Sequence, residues 1–117
     1  MCGIVGLHLR NPQLYGRLGE LLTAMLCEMA ERGSDSAGVA VYGDPTWTPP
    51  GQGCVSVLDT PVGPDEAAAE LTAALGFPVS VRAVDATYLV TGDAPAEKLL
   101  QAVRAAYPQA LVPGFGA

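Results

Sequence analysis

Hydrophobic and polar positions along the chain alternate between two periods. Residues Gly3 to Leu9 (Gly-Ile-Val-Gly-Leu-His-Leu) form a short apolar run and read as a buried strand. Asn11-Pro12 then punctuates the chain as a helix start. From Leu14 to Glu31 the apolar residues are Leu14, Leu18, Leu21, Leu22, Met25, Leu26 and Met29. They recur every three or four positions, so they trace one face of a helix, with Glu20, Glu28 and Glu31 mostly off it. Gly33 is the expected stop, followed by a polar turn through Ser34, Asp35 and Ser36. Gly38 to Tyr42 reads as a second buried strand.

Gly43 to Gly53 holds three prolines, three glycines and Trp47, and reads as a loop. Beyond it the pattern predicts a strand over Cys54–Leu58, a turn over Thr60–Pro64 and an alanine-rich helix over Asp65–Leu75 closed by Gly76. Val79–Val84 and Thr87–Thr91 read as strands joined by an Asp85-Ala86 turn. Ala96–Tyr107 is an amphipathic helix with Leu99, Leu100, Val103 and Tyr107 inward, stopped by Pro108. Val112–Ala117 reads as a loop. Strands and helices in this order predict a layered α/β or α+β domain.

Composition narrows the chemistry. The 117 residues give room for one domain, and 50% hydrophobic against 15% charged residues is the composition of a folded chain. The net charge of −6 repels phosphate backbones and anionic lipid, which argues against nucleic-acid and membrane partners. The single histidine, His8, rules out a His-rich metal site. Cys2, Cys27 and Cys54 form no CxxC pair and no zinc spacing. An odd, scattered set of thiols with no signal peptide or membrane-length run points to the cytoplasm. Cys27 and Cys54 read as packing thiols, His8 as a packed residue, and Tyr42 and Trp47 as packing or loop anchors.

The chemistry-bearing feature is Met1-Cys2-Gly3. Removal of the initiator methionine gives Cys2 both a thiol and a free α-amine. An α-amine titrates near about 7.7–8.0 and a thiol near about 8.5, so the amine can act as base to its own thiol close to neutral pH. A nucleophile that carries its own amine as base is a known route to acyl transfer. Gly3 leaves backbone room beside it.

A second motif follows the helix: Glu31-Arg32-Gly33-Ser34-Asp35-Ser36-Ala37-Gly38. Together, Met-Cys-Gly-Ile-Val-Gly at residues 1–6 and this later string resemble the class II glutamine amidotransferases, which are N-terminal-nucleophile hydrolases. The likeness runs over residues 1 to 42 and is greatest to the stand-alone amidotransferase subunits of glutamate synthase and N-methylglutamate synthase systems. It implies an α+β fold, the four-layer αββα sandwich of these hydrolases. It also implies hydrolysis of glutamine to glutamate and ammonia through a Cys2 thioester, with ammonia passed to a synthase subunit and no cofactor. By the same likeness Cys2 is the nucleophile, and Arg32 and Asp35 shape and charge its surroundings. A guanidinium nearby favours thiolate over thiol, and a paired aspartate would hold it in place. Gly3, Gly33 and Gly38 are the motif glycines that let backbone segments approach closely. Ser34 stands where most of the family carries proline.

Other family features are absent. There is no Asn-Gly pair for the oxyanion, since the single asparagine, Asn11, precedes a proline. No arginine is followed by x-Ala-Thr, the segment that grips the substrate carboxylate; Arg82-Ala83-Val84 differs from it. The substrate-binding residues are therefore unassigned. The expectation is a single but incomplete amidotransferase domain over residues 1–117, with 43–117 resembling an α/β insertion, and weak or no turnover. The alternative is a non-catalytic module that binds a synthase subunit.

Overall fold

The computed structural model describes residues 2–32 and 37–116. The chain divides into two units, Met1–Ala40 and Val41–Ala117. The motif residues Gly33 and Asp35, with the rest of the polar turn, lie outside the described residues.

In the first unit the long predicted helix is built as three pieces. A 3-10 turn spans Pro12–Arg17, helix α1 spans Leu18–Glu28, and a last 3-10 turn spans Ala30–Arg32. Asn11 caps the start, its side chain accepting a hydrogen bond from the Gln13 amide at 3.1 Å. Gly16 and Gly19, both poor helix formers, flank the change from 3-10 to α geometry. The predicted stripe survives this change. Leu14, Leu18, Leu21, Leu22, Met25 and Met29 are half-buried, whereas Leu26 is exposed.

Residues 3–9 and 38–42 are not strands. Side chains in the first segment alternate, with Val5, Leu7 and Leu9 half-buried and Ile4, Gly6 and His8 exposed. That is strand-like patterning without a strand. The physical reason is the ladder: a strand exists through a neighbour's N–H and C=O groups, and among the described residues neither segment has such a neighbour. Ile4 is 91% exposed and Tyr42 88%, so neither apolar run is buried throughout, and residues 38–42 are exposed.

The second unit follows its sequence pattern closely. Strand β1 (Gly53–Leu58), helix α2 (Pro64–Leu75), strands β2 (Val79–Val84) and β3 (Thr87–Gly92), helix α3 (Ala96–Ala106) and strand β4 (Leu111–Gly116) follow in order. The sheet order is β2-β3-β1-β4 and every pairing is antiparallel. This βαββαβ connectivity, with the first and third strands side by side at the centre, is the split β-α-β arrangement of ferredoxin-like domains. The unit is α+β. It has one sheet with both helices sharing one core, in two layers.

Register explains the core. Val55 faces Val90 and Val57 faces Tyr88 across β1 and β3, while Val81 faces Val90 across β2 and β3. These residues point to one side of the pleat. Ala67 and Leu71 of α2 and Leu99, Leu100 and Val103 of α3 close over them, with Tyr107 at the end of α3. The four inward positions predicted for α3 are all buried.

Local chemistry sets the turns. Gly76 ends α2 at φ 80°, its amide donating to the Thr72 carbonyl at 2.9 Å. Asp85 takes φ 54° in the two-residue turn between β2 and β3, as the sequence pattern anticipated. Residues 112–117 correct the sequence expectation, because most of this predicted loop belongs to β4. Pro113 and two glycines disguise it, but β4 is an edge strand and its register with β1 shifts between Ser56 and Leu58, where an irregular backbone is tolerated.

Two predictions arise here. A Cβ on Gly53 would lie 2.6 Å from both the Ala94 carbonyl oxygen and the Ala96 amide nitrogen, and the Gly53 amide donates to that same carbonyl at 3.0 Å. Backbone on both sides has no rotamer to yield. Gly53→Ala is expected to cost about 1–3 kcal/mol, read by urea titration.

The second concerns alkaline pH. Burial and the hydrogen bond that Tyr107 donates to the Glu70 carboxylate both raise the phenol's pKa above its usual value. In the unfolded chain the phenol ionises near about pH 10, whereas the folded chain keeps the proton to higher pH. The interaction therefore stabilises fully below about pH 10 and is lost as pH rises beyond it. In alkaline melts above that pH, Tyr107→Phe should lose stability less steeply than the unaltered protein.

Candidate functional site

The last turn of the first helix brings Arg32 close to Gly3. Met29 is the C-cap of α1, and the Arg32 amide donates to the Met29 carbonyl at 3.0 Å. In a 3-10 turn, residues three apart lie almost directly above one another. Met29 and Arg32 therefore present their side chains on one side, and the N-terminal segment crosses there. An ideal Cβ on Gly3 would stand 3.0 Å from Met29 Cε, 3.3 Å from Arg32 Cβ and 3.7 Å from Met29 Cβ. A side chain at residue 3 would fit tightly here, with the Met29 methyl and the Arg32 stem giving way by a few tenths of an ångström, so glycine sits most easily.

Cys2 adjoins this contact and is exposed, as is Arg32. The thiol is open to solvent, and the start of the Arg32 side chain meets the next residue, Gly3. Asp35 and Gly33, the other motif residues, fall outside the described set. Gly38 is described and makes no close approach, since an added Cβ there meets nothing within 4 Å. Met29 is the residue that sequence reasoning placed elsewhere, in the apolar stripe. Its spacing of three from Arg32 was the available signal.

The remaining candidates separate from this cluster. Cys27 is exposed rather than packed, and Cys54 is half-buried in β1. His8 is exposed, against the packed position its apolar neighbours suggested. Trp47 is a loop anchor: the Arg82 guanidinium stacks 4.0 Å from its ring centroid. In the same loop Asp44 accepts the Thr46 amide at 2.8 Å, and that hydrogen bond, with smaller help from the Thr46 hydroxyl, Trp47 and Arg82, holds its carboxyl below the usual range. Tyr42, by contrast, anchors nothing and is exposed. Among the described residues no group of three or more His, Cys, Asp or Glu side chains is placed to hold a metal. No helix among them is long and apolar enough to cross a membrane.

The second unit carries an open depression of about 400 Å³, lined by Gln52, Phe77, Pro78, Ser80, Thr91, Gly92 and Asp93. None of these is a thiol or an imidazole. Thr60, after β1, has a buried hydroxyl without a hydrogen-bond partner among the described residues.

Comparison with known proteins bears on the first question raised by this site, its class. No family model matches the chain, and no solved structure matches it. Over 46 residues the chain is 56% identical to the glutamine amidotransferase-like protein GlxB of Rhizobium meliloti (strain 1021). That stretch is 39% of this chain and 15% of the relative, so the chain spans a small part of the relative it matches. The likeness supports a general amidotransferase relationship.

Proposed function

We propose that this chain is the nucleophile-bearing part of a class II glutamine amidotransferase. The observation that carries this reading is the approach of the Cys2-Gly3 segment to Arg32, with the Arg32 Cβ 3.3 Å from a Cβ position on Gly3. The identity over 46 residues with a glutamine amidotransferase-like protein supports it. In this reading removal of Met1 frees the α-amine of Cys2. The amine takes the thiol proton, directly or through water, and the thiolate sulfur attacks the glutamine side-chain amide carbon. Collapse of the tetrahedral adduct returns the proton to the departing nitrogen as ammonia. Water then cleaves the thioester to glutamate and regenerates the thiol. Arg32, whose stem lies beside Gly3, would favour the thiolate of the preceding residue, and Asp35 would orient the guanidinium. Gly33 and Gly38 complete the motif turn in an N-terminal-nucleophile αββα framework. Ammonia passes to a synthase subunit of the glutamate synthase or N-methylglutamate synthase kind, in the reducing cytoplasm that keeps Cys2 a free thiol.

Turnover by this chain alone is expected to be weak. It has no Asn-Gly pair and no Arg-x-Ala-Thr segment to supply the oxyanion and carboxylate contacts. Covalent capture is therefore the better test than turnover. Intact mass is measured before and after a glutamine-analogue chloroketone. Loss of Met1 and a single adduct mapped to Cys2 is the expected result. Retained Met1, or adducts spread over Cys27 and Cys54, would overturn the reading.

A further inference from the structure

We propose that Met29 is a positioning residue for the Cys2 nucleophile. This rests on the amidotransferase reading and extends it to a residue outside both motifs. The Met29 thioether methyl is the group nearest to Gly3, closer than Arg32, and Met29 and Arg32 are brought into line by the 3-10 turn that the Arg32 amide closes on the Met29 carbonyl. The two side chains form a two-pronged seat across the Gly3 backbone. Arg32 contributes charge as well as its stem. Met29 contributes contact alone.

A methionine suits this place. Its unbranched, adaptable side chain reaches past the helix end and lies against a backbone that has no Cβ. Met29 is half-buried although Cys2 to Ile4 and Ala30 to Arg32 are exposed, and it gives the N-terminal segment an apolar contact at Gly3. An N-terminal nucleophile carries its base on its own Cα, so the pair moves as a unit. What must be fixed is the direction in which that unit faces the substrate amide, and an anchor at residue 3 fixes it. Loss of the anchor would leave the thiol and amine chemically intact but misdirected.

Two measurements test this, one on geometry and one on reaction. The Met29 Cβ lies 3.7 Å from a Cβ position on Gly3, within the roughly 3.5–4.5 Å that a disulfide spans. In a background of Cys2→Ser, Cys27→Ser and Cys54→Ser, the pair Gly3→Cys and Met29→Cys is expected to close a disulfide on mild oxidation. Intact mass would read it as the loss of two hydrogens. The pair Gly3→Cys and Met25→Cys, one helical turn earlier, is the control and should stay reduced. Failure of the first pair to close overturns the seat.

For reaction, Cys2 capture by the glutamine-analogue chloroketone is resolved into an affinity and a maximal rate. Met29→Ala should lower the maximal rate about 10-fold or more while leaving affinity unchanged, since misplacement near a reacting atom acts on rate. Met29→Leu, similar in bulk, should restore it. An unchanged rate in Met29→Ala overturns the positioning role even if the disulfide forms. If the unaltered protein takes no adduct while the disulfide closes, the amidotransferase reading fails and the positioning role fails with it, leaving the contact as packing. The two failures are therefore told apart.

Discussion

Replacing Cys2 with alanine is expected to abolish covalent capture by a glutamine-analogue chloroketone, from one adduct per chain to none. Replacing Cys27 or Cys54 with serine should leave that adduct in place. Exposure alone does not set this difference, because Cys27 is exposed too. What would distinguish Cys2 is its place next to Gly3, which approaches Arg32, and, after Met1 removal, an amine on its own Cα to take the thiol proton. Cys27 lies on α1 and Cys54 within β1, so neither carries a free amine. The glutamine-like part of the reagent adds selectivity, and a simple haloacetamide should separate the three thiols less sharply. The readout is intact mass followed by peptide mapping. Persistent single-site capture in Cys2→Ala would contradict the assignment of the nucleophile.

The second large effect belongs to the βαββαβ unit. Leu99 has no exposed surface and sits on α3 against the sheet. Its truncation leaves a void in the core cluster it shares with Val55 and Val90 of the sheet and Leu71 of the neighbouring helix. Leu99→Ala is expected to cost about 2–5 kcal/mol. For a unit of this size that lowers the melting midpoint by about 10 °C or more. A calorimetric shift under about 2 °C would mean that α3 does not pack as described. Leu26→Ala, at a stripe position that stays exposed, is the natural comparison and should change the midpoint little.

What the sequence revealed followed where each element finds its partners. Helices α2 and α3 and strands β1 to β3 were legible because their hydrophobic periodicity, their capping glycine and the Asp85 turn all agree with a core the same segment builds. Strand β4 was hidden because Pro113 and its glycines signal a loop, and only the ladder with β1 makes it a strand. The segments 3–9 and 38–42 erred in the opposite direction. Their composition is that of strands, but composition supplies no ladder. Helix α1 kept its stripe and lost its ends to 3-10 geometry, a distinction of one residue in hydrogen-bond spacing that periodicity does not resolve.

The candidate site divides in the same way. Cys2 and Arg32 were singled out by motif and order alone, and the 3-10 turn supplies a physical reason for the nearness of Arg32 to Gly3. Met29 was hidden inside a correct observation, because a residue on an apolar stripe can also be the one that meets the N-terminal segment. The substrate-binding side of the reaction was not legible at all. The chain holds no Asn-Gly pair, and no thiol or imidazole lines the depression in the second unit.

The measurement that bears most directly on the central claim is protection of Cys2 by substrate. The rate of Cys2 capture by the chloroketone is followed at rising L-glutamine. The account predicts saturable slowing at Cys2 and no protection of Cys27 or Cys54. Equal rates with and without L-glutamine would contradict it, because the thiol would then be reacting as an exposed cysteine rather than as the nucleophile of a glutamine site.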